Sequence, residues 1–362
     1  MDASDGFFFS FEAPSGAATK DTSTQAGSDV AARPTWPPAS SSTARFPWET
    51  VNDETISQWA STYGSANPSL RTATKPRQLT LEVPLAALGA SSSFTTATST
   101  TPGDALSFTL CYQTSPEVSA LTSVTGSDAA ATTEHRDVIP GRYYGGLKVW
   151  SCATLLAQYL SKHAVHYHPL FRQAGVVVEL GCGQALPGLA AICLGARRVV
   201  FQDYNEEVLA VCTKPNLGAT IAANRATLSA LYSSDCNTPS LRVQLVHGDW
   251  VDLRWESREG AVASSIHLSD EEDAFCDVIL GADVTFDKEA CEKLACVLQR
   301  WLRPHTGEAI IASKDYYFGT NGGYLEFTRS AQLHGLHVAL LERVDTADKM
   351  PHVVFRVTHS SG

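Results

Sequence analysis

Val176 to Leu180 forms a nearly continuous apolar run that breaks directly into Gly181-Cys182-Gly183, and a helix-compatible stretch, Leu186 to Leu194, follows at once. A strand that ends in glycines and turns into a helix lets a ligand come close to the backbone, because no Cβ stands in the way. The next apolar run, Val199 to Gln202, completes a strand, glycine loop, helix and strand, the pattern of a right-handed βαβ unit. Further strands read at Val243 to Val246, Asp277 to Leu280 and Glu308 to Ala312, with a helix from Lys288 to Leu302 between the last two. Val338 to Leu341 and Val353 to Val357 follow and predict a hairpin on the sheet edge. Ahead of the first strand, a Pro140-Gly141 turn leads into Leu147, Trp150, Leu155, Leu156 and Tyr159, whose spacing predicts an amphipathic helix starting near Gly146. Runs this uniformly apolar belong to strands covered on both faces. The expectation is an α/β fold, a Rossmann-like seven-stranded sheet with helices on both sides.

Before about Glu134 the texture is different. Stretches such as Pro14 to Ala18 and Pro37 to Thr43 are rich in Ser, Thr, Ala and Pro and offer little apolar surface to offset chain entropy. Residues 1–134 therefore read as a low-complexity, mostly disordered region ahead of one folded domain, 135–362. Two weak strand-like stretches in it, Leu79 to Val83 and Leu106 to Cys111, are expected to add edge strands.

Composition narrows the partners. A net charge of −11 argues against direct nucleic-acid binding, which draws its affinity from Lys and Arg, and suits a basic protein partner. Nine cysteines without a CxxC pair fit a reduced compartment, cytosol or nucleus. No apolar stretch reaches the roughly 18 residues of a membrane span, and Met1 to Asp5 lacks the basic start of a secretory signal. Phe7-Phe8-Phe9 with Phe11 is a candidate docking peptide, and Asp270 to Asp273 is a solvated acidic loop suited to steering a basic substrate. His163, His166 and His168 read as a helix end, and no metal site is predicted.

The ligand follows from the strand ends. A dinucleotide fingerprint would place its third glycine at Leu186, whereas here it falls at Gly188, and a carboxylate, Glu179, precedes the loop. That pattern favours S-adenosylmethionine, which has a cationic amino-acid end and no pyrophosphate. Asp203, ending the second strand, is placed to accept from both ribose hydroxyls. Asp249, in Gly248-Asp249-Trp250 after the third strand, is placed for an adenine amino group, with Trp250 covering the ring. Each acid also has a plainer reading: Glu179 as a structural cap, Asp203 as an N-cap before Asn205, Asp249 as the start of a turn. Their succession at three strand ends favours the joint reading. After the fourth strand, Asp283 and Phe286 are candidates to position a methyl acceptor, the alternative being that Asp283 caps the helix near Lys288.

Val138 to Trp150, the Glu179 to Gly188 loop, Phe201 to Asn205 and Ser313 to Gly319 together resemble the protein-histidine N-methyltransferases, and the Phe7 to Phe11 start is similar to theirs. The resemblance runs from about Asp137 to the last residue, and Ser313 to Gly323 is its most discriminating part. It implies a methyltransferase sheet and an S-adenosylmethionine pocket lined by Trp150, Glu179, Gly181, Gly183, Asp203, Asp249 and Trp250; Cys182, Tyr204 and Gly281 are further candidates for that pocket. It further implies a monomer of cytoplasm and nucleus. The implied acceptor is a histidine ring nitrogen of a basic partner, ribosomal large-subunit protein three, with neither nucleic acid nor membrane involved.

Gly281-Ala282-Asp283 departs from that family and looks like the Asp-x-x-aromatic element of related lysine methyltransferases. The candidate catalytic residues are Asp283, Asp315 and Tyr316, with Asp283 or Asp315 hydrogen-bonding the acceptor while Tyr316, Tyr317 and Phe286 shape its slot. A neutral imidazole, with a pKa about 6.5, is a ready nucleophile, whereas a lysine near 10.4 must first lose its proton. The rival reading from another class is a silent scaffold that keeps the fold and only binds a partner.

Overall fold

Both faces of one sheet are dry, which explains the unbroken apolar runs. Val177, Val199, Phe201, Val278 and Leu280 point into one core, and their neighbours Val178, Val200 and Ile279 point into the other. The computed structural model describes residues 44–45, 48–64, 75–88, 105–113, 137–139, 141–232, 240–256, 265–267, 275–346 and 350–360. The Phe7 to Phe11 run, the Pro14 to Ala18 and Pro37 to Thr43 stretches, Pro140 and the Asp270 to Asp273 run lie outside these residues.

In chain order, β1 (Ala44–Arg45), β2 (Glu49–Thr50) and α1 (Asp53–Ala60) precede a hairpin of β3 (Pro76–Pro84) and β4 (Ala105–Gln113). Then come α2 (Ser151–Lys162), α3 (Ala164–Gln173), β5 (Val177–Leu180), α4 (Leu186–Cys193) and β6 (Arg198–Asp203). A short α5 (Glu206–Val208) passes through a π turn, Leu209–Thr213, into α6 (Lys214–Ala223), followed by α7 (Arg225–Tyr232) and β7 (Arg242–His247). After the small pair β8 (Arg254–Glu256) and β9 (Ser265–His267) the chain runs through β10 (Val278–Ala282), α8 (Lys288–Trp301) and β11 (Glu308–Lys314). It closes with α9 (Tyr324–Leu333), β12 (Leu336–Val344) and β13 (His352–His359).

The central sheet is ordered β1-β7-β6-β5-β10-β11-β13-β12, with β2 also on β7. Strands β7, β6, β5, β10 and β11 are parallel, while β13 is antiparallel to both neighbours. Counted among themselves, the seven long strands lie in the order 3-2-1-4-5-7-6. This is the seven-stranded Rossmann-like sheet expected from the sequence. Chain order reverses between β5 and β10, so a crevice opens there at the carboxyl ends of the strands.

Three expectations change in detail. The helix expected from Gly146 begins at Ser151, because Gly145 has φ +83° and Trp150 is extended at φ −92°, ψ 148°. Residues before it form a strap over the strand ends, and the Leu147 and Trp150 spacing is that of a packed loop. Of the three histidines only His163 ends a helix, as the C-cap of α2, whereas His166 and His168 lie within α3. The strand-like stretches of the N-terminal region do not join the sheet edge either, since β3 and β4 pair only with each other among the described residues.

The hairpin is held by side chains of α6, its C-cap and the glycine loop, which imitate a neighbouring strand. The β4 amides of Thr109, Cys111 and Gln113 donate to Asn224 Oδ1 (2.9 Å), Thr220 Oγ1 (2.9 Å) and Gln184 Oε1 (3.2 Å). Asn224 Nδ2 returns a bond to the Thr109 carbonyl at 2.8 Å. An edge that would otherwise show bare N–H groups is thereby closed. Trp59 of α1 packs directly on Gly218 of α6. Asn224→Ala orphans the Thr109 N–H and should cost about 1–3 kcal/mol. The expected result is a lower Tm with faster hydrogen exchange at Thr109 and Cys111, and unchanged protection in β5 and β6.

Candidate active site

The cavity lies at the reversal point, and the glycine loop after β5 forms its floor. Gly183 has φ +48°, and a Cβ there would sit 2.9 Å from the Gly146 carbonyl oxygen, so loop and strap meet backbone to backbone. A Cβ at Gly188 would stand 2.3 Å from the Phe201 ring, which is why α4 starts flush on the sheet. The Gly188 N–H donates to Glu179 Oε2 at 2.8 Å. Burial pushes the Glu179 carboxyl well above its usual range, the Gly188 bond opposes this, and the charge of Asp203 adds to it. Glu179 is thus a cap, as its plainer reading had it, and also lines the cavity.

Asp203 is buried between loop and strap. Its Oδ2 accepts from the Gly183 N–H at 2.9 Å and its Oδ1 from the Asn205 N–H at 3.0 Å. Burial raises its pKa to about 6 against these bonds. The neighbouring Gln202, which sequence reasoning passed over, ties three loops together. Its Oε1 accepts from Gly181 N–H (3.1 Å) and Trp250 Nε1–H (2.7 Å), and its Nε2 donates to the Gly248 carbonyl at 2.9 Å. Its signal was a polar residue inside an otherwise apolar strand.

Asp249 realises its turn reading, accepting from the Val251 N–H at 3.1 Å, and it also pairs with Lys293 Nζ at 2.8 Å. Burial would lower the Lys293 ammonium, but bonds to Asp249 and Glu289 outweigh that and hold it above its ordinary value. An adenine amino group would share Asp249 with this ammonium. Trp250, Tyr204 and Cys182 all line the cavity; Trp150 does too, with Nε1 donating to the Gly145 carbonyl at 2.9 Å. Gly281 does not: it is enclosed by Val284 and Ile311 inside the sheet. The strap contributes Tyr144, another omission of the sequence reading, whose ring lies 4.6 Å from Tyr204 and 5.9 Å from Phe286.

Asp283 faces the same cavity from β10. It is a non-glycine residue at φ +56°, a backbone strain that clusters at functional sites. Its Oδ1 accepts from Tyr317 Oη at 2.6 Å and its Oδ2 from the Cys152 N–H, in the first turn of α2, at 3.1 Å. It does not cap the helix near Lys288, because Asp287 does so through the Ala290 N–H at 2.7 Å. Burial first, and then the Asp283 charge, push the Tyr317 hydroxyl well up, so it stays a donor.

Asp315 and Tyr316 are not brought into the cavity. The Asp315 carboxylate is taken by the Arg343 guanidinium on β12. Tyr316 points outward and Tyr317 inward, so the slot expected from both tyrosines has only Tyr317 and Phe286. His168 is buried on the Leu194 carbonyl at 3.0 Å. No group of three or more His, Cys, Asp or Glu among the described residues is placed to hold a metal ion. No described helix is long and apolar enough to cross a membrane.

Comparisons with known proteins agree with this layout. A family model described as lysine methyltransferase matches residues 142–236, from the strap to just beyond α7. A histidine protein methyltransferase 1 homolog of Rattus norvegicus is 31% identical over 222 residues, 59% of this chain and 57% of the relative. A homolog of the same name from Dictyostelium discoideum is 31% identical over 193 residues, 53% and 50% of the two chains. The chain is similar to histidine protein methyltransferases. It spans about half the length of those relatives. A protein N-terminal and lysine N-methyltransferase of Eremothecium gossypii is 27% identical over 202 residues, 56% of this chain and 67% of that one.

Gln202→Leu leaves a half-buried N–H, an indole donor and a carbonyl without their Gln202 partner, at up to about 1–3 kcal/mol for each group left unpaired. The variant should melt well below the wild type and lose the near-ultraviolet dichroism of Trp250.

Proposed function

We propose that this chain is an S-adenosylmethionine-dependent protein methyltransferase that modifies a histidine ring nitrogen. The observation that carries the reading is Asp283, a carboxylate held in strained backbone at the cavity wall by Tyr317 and the α2 amide, beside a glycine loop with two further buried carboxylates. Names of the relatives support histidine as the acceptor.

The residues present fit the cofactor. Glu179 offers a carboxyl group whose ionised form a cofactor ammonium would favour against the burial that opposes it, Asp203 has lone pairs left for ribose hydroxyls, and Trp250, Tyr204 and Tyr144 offer flat apolar surface. When bound, S-adenosylmethionine supplies an electrophilic methyl on a cationic sulfur. The protein's task is to align the acceptor nitrogen in line and to exclude water. Asp283 accepts the N–H of the acceptor ring, which turns the other nitrogen's lone pair toward the methyl. The imidazolium left once the ring has taken the methyl would be stabilised by that same carboxylate. It then releases the N–H proton to solvent. Tyr317 and the Cys152 N–H keep Asp283 from turning away.

A lysine acceptor is the second reading, favoured by Asp283-Val284-Thr285-Phe286 and by the description of the matching family model. The acceptor protein is proposed to be a basic large-subunit ribosomal protein, met by a monomeric enzyme in cytoplasm or nucleus.

Incubation with methyl-labelled S-adenosylmethionine and cell extract, followed by amino-acid analysis of the labelled protein, tests the assignment. Methylhistidine is expected; methyllysine alone would replace it with the second reading, and absence of cofactor binding would favour a scaffold. Asp283→Asn should lower kcat at least tenfold with cofactor Kd unchanged. Asp203 predicts a pH dependence: its folded pKa of about 6 lies above the unfolded 3.8, so the free protein is protonated there at pH 5. Ribose hydroxyls donate to the ionised form, so cofactor Kd should fall about tenfold between pH 5 and pH 7. Asp203→Asn should flatten that dependence in calorimetry.

A further inference from the structure

Resting on the proposed methyltransferase reading, we propose that Tyr316 and Phe318 form the docking surface for a basic polypeptide segment flanking the acceptor residue. Tyr316 is 44% and Phe318 54% exposed, and their rings meet edge to face at 4.8 Å. They bracket Tyr317, whose ring lines the cavity and whose hydroxyl holds Asp283. One loop therefore presents two aromatic rings to solvent at the place where its middle residue reaches the candidate catalytic carboxylate.

The loop is fixed rather than slack. Tyr317 N–H donates to the Gly322 carbonyl at 3.2 Å and Gly323 N–H to the Thr285 carbonyl at 2.8 Å, while Thr320 Oγ1 donates to the Phe286 carbonyl. Gly323 packs so closely on Tyr316 that a Cβ there would lie 2.5 Å from its Cα. Exposed aromatic rings on a loop that is already ordered lose little entropy on binding, which is how interface anchors work. No folding requirement explains them, since neither ring is in the core clusters.

Charge identifies the occupant. Beyond the three carboxylates assigned to the cofactor, Asp283, Asp287 and Glu289 also line the cavity, against only Lys148 and Lys293 among its lining residues. Both lysines are already ion-paired, Lys148 with Asp137 and Lys293 with Asp249 and Glu289. Glu289 is 71% exposed and carries the negative potential to the surface. A cationic segment with an apolar side chain beside the acceptor satisfies both the rings and the carboxylates.

The test uses the full chain and immobilised recombinant ribosomal large-subunit protein three, in saturating S-adenosylhomocysteine, by biolayer interferometry. The Tyr316→Ser/Phe318→Ser double variant is compared with wild type and with Leu333→Ser, which removes an 82% exposed residue on α9. The expected result is at least tenfold weaker binding by the double variant, wild-type binding by Leu333→Ser, and cofactor affinity unchanged in all three. Equal binding by the double variant, an equal loss in Leu333→Ser, or no binding by wild type would each overturn the proposal. Binding that depends on both rings but leads to no methyl transfer would instead refute the methyltransferase reading and leave the docking surface standing.

Discussion

The Asp203 carboxylate, buried at the end of β6, is the interaction on which the cavity depends. It receives the Gly183 N–H on one oxygen and the Asn205 N–H on the other, and Gly146 of the strap lies against it. Three segments far apart in sequence thus share one small anion. A neutral side chain of similar shape has only one acceptor oxygen for those two donors. The anion is expensive to keep in place, as its raised pKa shows. The backbone bonds offset part of that penalty, and a hydroxyl-bearing ligand would offset more. Site and fold are therefore coupled through the same atom pair.

A second junction sits across the cavity. Asp283 joins β10, the first turn of α2 and the loop after β11. The positive end of α2 favours its charge, and the left-handed backbone aims it where a regular strand residue would not point. The arrangement separates two duties that a sequence alone runs together: Asp287 caps α8, and Asp283 is left facing the cavity.

The strands were legible because burial on both faces suppresses polar residues, and the boundaries read from β6, β7, β10 and α8 agree with the structure to within a residue or two. The strap was not legible. Leu147 and Trp150 have helical spacing, yet Leu147 is buried beneath a loop and Trp150 bonds back to Gly145. The hairpin was misplaced because its outer edge is satisfied by Thr220, Asn224 and Gln184, side chains that no strand pattern reveals. At the site, acids at successive strand ends could be read directly, since a carboxylate closing an apolar run is conspicuous. Asp315 and Tyr316 could not be placed, because the alternation beyond β11 depends on how the loop turns, and Arg343, which claims Asp315, lies on a different strand.

The position of β13 bears on how the molecule is made. It lies between β11 and β12, although it follows both in the chain. During synthesis β11 therefore emerges with one edge bare and stays so until residues 352–359 have been translated and threaded beside it. The loop carrying Tyr317 leaves from the end of that waiting strand, and the Asp315 N–H bonds to the Pro351 carbonyl just before β13. A nascent chain can thus assemble the glycine loop and its carboxylates early, but the acceptor side is completed only by this late strand.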